Sequence, residues 1–193
     1  MLKKIYDWTM ALASSQRASY ALAGVSFIES SIFPIPPDAL LIPMVIAKRE
    51  KAWVYATICT IASVIGGLFG YAIGSLLFQQ VAEPILALYG YADKFQSFTE
   101  QYNDWGVWIV LIAGLTPFPY KVITIASGAT GLSLPVFLIA SIVARGLRFF
   151  ILSALLFWLG PPIRDFIEKR LGLVFSLAMA LLIGGFVLAK YLL

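Results

Sequence analysis

Phe33-Pro34-Ile35-Pro36-Pro37-Asp38 and, further on, Thr116-Pro117-Phe118-Pro119-Tyr120-Lys121 each interrupt a run of apolar residues. Proline removes an amide donor and its ring collides with the preceding turn, so neither run continues as one helix. The second arm after the first break, residues 39–47, stops at Lys48-Arg49-Glu50-Lys51. Nine helical residues rise only about 14 Å, half of a ~30 Å hydrocarbon core. Such an arm cannot cross a bilayer. The economical reading is a hairpin that enters the membrane and returns to the side it came from, with residues 18–47 as the first and residues 105–132 as the second.

Composition places these breaks in lipid. The 193 residues are 61% hydrophobic and 12% charged, against about 45–50% apolar and about 25% charged in soluble domains. The expected fold class is therefore an all-α integral membrane protein, one domain over residues 1–193. Residues 52–78, 133–159 and 171–192 are long enough to cross, giving three full transmembrane helices. Residues 1–17 and 83–104 are more polar and read as interfacial helices. The ladder Gly66-x-x-x-Gly70-x-x-x-Gly74 lets a second backbone approach the first crossing closely.

The halves look alike. At an offset of 83, Pro34 matches Pro117, Pro36 matches Pro119, and Asp38 matches Lys121; Pro37 extends the first turn alone. One crossing between two hairpins puts their mouths on opposite faces, an inverted repeat of the kind many secondary transporters use. Lys3, Lys4, Arg17, Lys48, Arg49, Lys51, Arg164, Lys169 and Arg170 fall on one side, with Lys94 and Lys190 across from them. The positive-inside rule then makes the N-terminus cytoplasmic.

Five ionisable residues fall deep in this map: Glu29, Asp38, Lys121, Arg145 and Arg148. A charge at mid-bilayer costs about 2.5–3.5 kcal/mol on insertion scales, so the five need partners or water. Two carboxylates against three cations leave an excess of one positive charge, which suits an anion. Guanidinium binds phosphate oxygens bidentately, and half-helix N-termini add donors. Arg145, Arg148 and Lys121 are the expected substrate-binding residues; Glu29 and Asp38 are the expected proton-coupling groups. Each of the five also has a plainer reading as a structural partner or cap. Tyr71, Tyr120, Trp53 and Trp158 read as interface anchors or packing groups.

Other chemistries are excluded or unsupported by residue type. There is no histidine, so no histidine metal site or relay; the one cysteine, Cys59, has no internal disulfide partner. No nucleophile–base pair, no phosphate-binding Gly-Lys-Ser/Thr loop and no cleavable leader is recognisable. We therefore expect no enzyme activity, no cofactor and no nucleic-acid partner.

The segments E-S-S-I-F-P-I-P-P-D (29–38), G-G-L-F-G-Y-A-I-G (66–74) and P-F-P-Y-K-V-I-T-I-A-S-G-A-T-G (117–131), with A-R-G-L-R-F at 144–149, resemble the DedA superfamily, also called the SNARE-associated or VTT-domain family. The A-R-G-L-R-F ending, and Lys121 where many members carry arginine, resemble its YqaA-like branch. The resemblance implies two opposed re-entrant hairpins and a place in the bacterial inner membrane. It also implies work on lipid carriers, as in flippases of undecaprenyl phosphate or phospholipid scramblases. By motif position Glu29 and Asp38 correspond to the family's membrane acids, and Arg145 and Arg148 to its arginines. The expected function is a transporter or flippase of an anionic phosphate-bearing lipid, with protons as a candidate coupling ion. The alternatives are a proton-coupled small-ion transporter and a non-transporting scaffold or assembly factor.

Overall fold

The computed structural model describes residues 17–32, 36–88, 90, 92–116 and 118–169. The expected interfacial helix before Arg17, the crossing at 171–192, and Pro34 and Pro117 lie outside the described residues. All the regular structure within them is helical. A pair of short helices comes first, α1 (Ala18–Ser31) and α2 (Asp38–Ala47), followed by a 3₁₀ turn (Arg49–Lys51) and the long α3 (Ala52–Leu77). A π-helical turn (Phe78–Ala82) leads to α4 (Glu83–Leu88) and α5 (Ala92–Asp104). A second short pair, α6 (Gly106–Leu115) and α7 (Tyr120–Ala129), precedes the long α8 (Leu134–Lys169).

Two segments, Arg49–Leu77 and Leu134–Gly160, are long and apolar enough to cross a membrane, with mean hydropathy 1.8 and 1.9. Only 39% of each apolar window is buried inside the protein. A core helix of a soluble protein hides its apolar face; these present Ile61, Ile65, Phe69, Ile139, Ile142, Leu147, Ile151 and Leu155 outward. That surface demands an apolar surrounding.

The expected single helix at 83–104 is two. Gly90, at φ +69°, ends the first piece, because only glycine adopts that backbone without a Cβ penalty. The second crossing also runs beyond residue 159, through Pro161-Pro162 to Lys169.

Packing repeats between the halves. α1 lies on α3 and α6 lies on α8; α7 crosses to pack on α3, as α2 crosses to pack on α8. The long helices also meet each other. One apolar core gathers Leu22, Leu41, Met44, Tyr55, Cys59 and Phe149. The other gathers Val110, Tyr120, Ile123, Leu132, Phe137 and Ala140.

Glycines set how close these helices come. A Cβ at Gly66 would strike the Phe27 carbonyl of α1. One at Gly74 would strike the Ile125 carbonyl of α7, and one at Gly128 the Tyr71 carbonyl in return. Gly70 lies at the junction, where an added Cβ would strike Thr124 Oγ1 and come within 3.1 Å of the Ser30 carbonyl oxygen. The ladder thus seats an arm of each pair on the same long helix. Gly74→Ala is expected to lose about 1–3 kcal/mol, since backbone must shift to admit the methyl. Gly24→Ala, with open space around it, should be neutral or gain about 0.5–1 kcal/mol from helix propensity. Thermal unfolding of the detergent-purified variants measures both; equal Tm values would contradict the packing.

Candidate functional site

The five deep charges separate into two groups. Arg145, on α8, is fully buried, and its Nη2 donates to Glu29 Oε2 of α1 at 2.7 Å. Its Nε donates to Ser63 Oγ of α3 at 2.6 Å. Ser30 Oγ donates to the same Glu29 oxygen at 3.0 Å and lies 2.6 Å from Ser63 Oγ. With the Ser30 proton committed to Glu29, Ser63 must donate to Ser30. The result is a closed ring, Arg145 to Ser63 to Ser30 to Glu29 and back, in which each bond polarises the next.

Aromatic rings seal this ring of bonds. The guanidinium carbon lies 4.8 Å from the Tyr120 ring centroid and 4.7 Å from that of Phe149. Those two rings belong to the two different apolar cores, so Arg145 sits at their junction. Desolvated cation–π contacts of this kind contribute about 2 kcal/mol. Arg145 Nη1 has no hydrogen-bond partner among the described residues. Tyr120 is wholly buried and donates to Ser141 Oγ at 2.6 Å, so it is a core group and not an interface anchor.

Arg148 lies one turn further along α8 and is partly exposed, as is its partner Asp38. Its Nη2 donates to Asp38 Oδ2 at the start of α2, and its Nη1 to the Thr116 carbonyl at the end of α6 at 2.7 Å. Lys121, in the first turn of α7, donates to the Ile32 carbonyl just after α1 at 3.1 Å. Thr124 Oγ1, one turn deeper on α7, reaches the Ser30 carbonyl at 3.0 Å. Each of these donors satisfies a carbonyl left open where a short helix ends, at α6 for Arg148 and at α1 for Lys121 and Thr124. The two turns are brought together, and the cations line their junction.

The charge balance now has locations. Glu29 offsets Arg145, Asp38 offsets Arg148, and the excess positive charge is Lys121. The first turn of α7 contains no acidic residue and no side-chain cap, so the positive end of that helix adds to the lysine. Asp38 stands at the corresponding place on α2 and offsets that end. Asp38 Oδ1 is buried without a hydrogen-bond partner.

Ser63, Phe149 and the Ile32 and Thr116 carbonyls escaped the reading from sequence. Ser63 carried a weak signal, since it stands four and seven residues before Gly67 and Gly70 and so shares their face of α3. The carbonyls carried none. Among the described residues no group of three or more His, Cys, Asp or Glu side chains is placed to hold a metal.

Removing one member of the sealed pair leaves a buried charge uncompensated. Arg145→Met alone is expected to destabilise by roughly 3–5 kcal/mol. Glu29→Leu combined with Arg145→Met should recover part of that loss, so the cycle is non-additive. Unfolding of the two single variants and the double variant measures the coupling. Strict additivity would mean the pair is not formed.

The chain's likenesses fit this geometry. A family model described as the VTT domain matches residues 35–158, more than half of the chain. An uncharacterized protein of Haemophilus influenzae is 37% identical over 185 residues, 95% of this chain and 96% of the relative. A second uncharacterized protein, from Histophilus somni, is 37% identical over 156 residues, 81% of each chain. No solved structure matches the chain. Matched over its charged turns, its glycine ladder and both long helices, the chain belongs to the VTT-domain, or DedA, family of membrane proteins.

Proposed function

We propose that this protein is a transporter that carries an anionic, phosphate-bearing lipid headgroup across the bacterial inner membrane. In this reading α1–α2 and α6–α7 are re-entrant hairpins entering from opposite faces, their prolyl turns meeting near mid-membrane. The basic turn Lys48–Lys51 lies on the cytoplasmic side with the N-terminus. α3 and α8 make full crossings in opposite directions.

The observation that carries the reading is the cationic junction of the two turns. Lys121 supplies uncompensated charge there, beside the uncapped N-terminus of α7, and Arg148 is partly exposed. Phosphate is the fitting ligand because the Arg148 guanidinium, which holds Asp38 through a single oxygen, can exchange it for phosphate oxygens bound in a fork. Release of Asp38 would leave it free to take a proton, which gives the route to proton coupling. An acyl or prenyl tail stays in lipid, so only the headgroup needs a polar path.

Arg145 and Glu29 take a different part in this scheme from the direct binding expected of the arginine. Their ring of bonds is complete and shielded, which favours a fixed support that positions Arg148 one turn away. A proton exchange at Glu29 would first require the ring to open. The scaffold reading fits that pair best, whereas Lys121 makes one hydrogen bond to a carbonyl and has no carboxylate partner among the described residues.

The test reconstitutes the purified protein in liposomes and follows headgroup translocation of undecaprenyl phosphate and of phosphatidylglycerol, with and without a pH gradient. Lys121→Gln removes one hydrogen bond from a half-buried side chain and should cost about 0.5–1.5 kcal/mol. It should slow translocation tenfold or more. Arg148→Lys should slow it further. Full activity in Lys121→Gln, or flux of a soluble anion with no lipid translocation, would refute the lipid reading.

A further inference from the structure

A second site lies away from the charged turns, at the far end of α3 and α7. There a cavity of about 480 Å³ opens between the π-helical turn, α4, α5 and the last turn of α7. Its volume is within the range of small-molecule sites, roughly 300–1,000 Å³. Ser75, Phe78, Glu83, Phe95, Gln96 and Thr99 contribute to its wall. It uses none of the residues assigned to lipid transport, and the π turn on its rim is a local irregularity of the kind frequent at binding sites.

The chemistry of the wall selects a sign of charge. Among the described residues Glu83 is the one ionisable group lining it. The C-terminal end of α7, Gly128 to Thr130, forms another side and presents the negative end of that helix. The first turn of α5 also reaches the rim, and its sequence carries Asp93 followed by Lys94, so it adds no net side-chain charge there. Thr99 Oγ1 is buried without a hydrogen-bond partner at this wall, an oxygen able to accept from a ligand. Phe78 and Phe95 stack with centroids 4.3 Å apart, giving the cavity an aromatic side.

This wall is held in place. Tyr102 on α5 reaches Ser127 Oγ of α7 at 3.0 Å, and Asn103 Nδ2 donates to the Thr130 carbonyl at 2.9 Å. Tyr71 on α3 donates to the Leu132 carbonyl at 2.6 Å. Three hydrogen bonds therefore pin α5 and α3 to the end of α7 around the cavity.

We propose that this cavity binds an organic cation, an ammonium group carried on an apolar body. Glu83 neutralises the ammonium, the phenyl rings contact its alkyl groups, and Thr99 accepts from an N–H where there is one. A carboxylate with an aromatic face is the combination that recognises alkylammonium groups. The same group is offered by a free amine and by an amine-bearing lipid headgroup.

The experiment uses the full chain. In detergent, thermal unfolding is followed against choline, against 3,3-dimethylbutanol (its uncharged isostere) and against inorganic phosphate. Choline should raise the Tm saturably, and the other two should not. Glu83 is exposed, so Glu83→Gln should fold normally and shift half-saturation at least tenfold upward; Thr99→Val should shift it less. In parallel, nanodiscs of phosphatidylglycerol are prepared with and without phosphatidylethanolamine, and lipid retention is read by native mass spectrometry. A response to choline alone assigns the site to free amines, and selective, Glu83-dependent retention of phosphatidylethanolamine assigns it to a headgroup. An equal response to the uncharged isostere, an unchanged response in Glu83→Gln, tighter binding of phosphate, or no response in either arm would overturn the proposal. None of these outcomes bears on Lys121 or on lipid translocation through the turns.

Discussion

A charge removed from water has to find its counter-charge inside the fold, and in this chain that requirement fixes where three helices meet. Arg145 enters from α8, Glu29 from α1 and Ser63 from α3, and their bonds close into one ring. If α8 or α1 rotated or slid by a turn, an ion would be stranded among apolar side chains, a loss of several kcal/mol, and a shift of α3 would take the Ser63 hydroxyl from the ring. Aromatic rings from both cores then close over the guanidinium. The pair therefore acts as a registration point for the packing around it.

Close backbone approach makes that ring possible. Gly66 lets α1 lie directly on α3, and the reciprocal contact of Gly74 and Gly128 does the same for α7. With α1 and α7 both drawn onto α3, Ser30 reaches Ser63 and Thr124 reaches the Ser30 carbonyl. The turns after α1 and before α7 are consequently held near each other, with Lys121 and Arg148 bridging to the opened ends of α1 and α6. Two roles thus separate along one helix face: a sealed ion pair that sets register, and a partly exposed one whose partners can be exchanged.

That separation explains how Arg145 and Arg148 look equivalent in sequence and differ in place. Three residues along a helix leave about 60° between side chains, enough to send one inward and the other toward the turns. Their acids lie 116 and 110 residues away, and nothing local tells which acid belongs to which arginine. The short arms were readable because proline acts on its own neighbourhood. Gly90 was missed as a break, since glycine in a polar helix is tolerated unless the backbone there takes positive φ.

The amino-acid sequence by itself determined that the chain is helical and apolar, where proline ends its short helices, which residues are small enough for close contact, and that cations outnumber acids by one among the deep charges. These are local or additive properties: a pyrrolidine ring, a missing Cβ and a net charge act wherever they stand. Only the tertiary structure decided that Glu29 belongs to Arg145 and Asp38 to Arg148, that Lys121 holds the excess charge, and that a cavity beside Glu83 opens at the far end. Pairing depends on the relative rotation and depth of helices far apart in the chain. Those are set by many contacts acting together and cannot be written in any one stretch of residues.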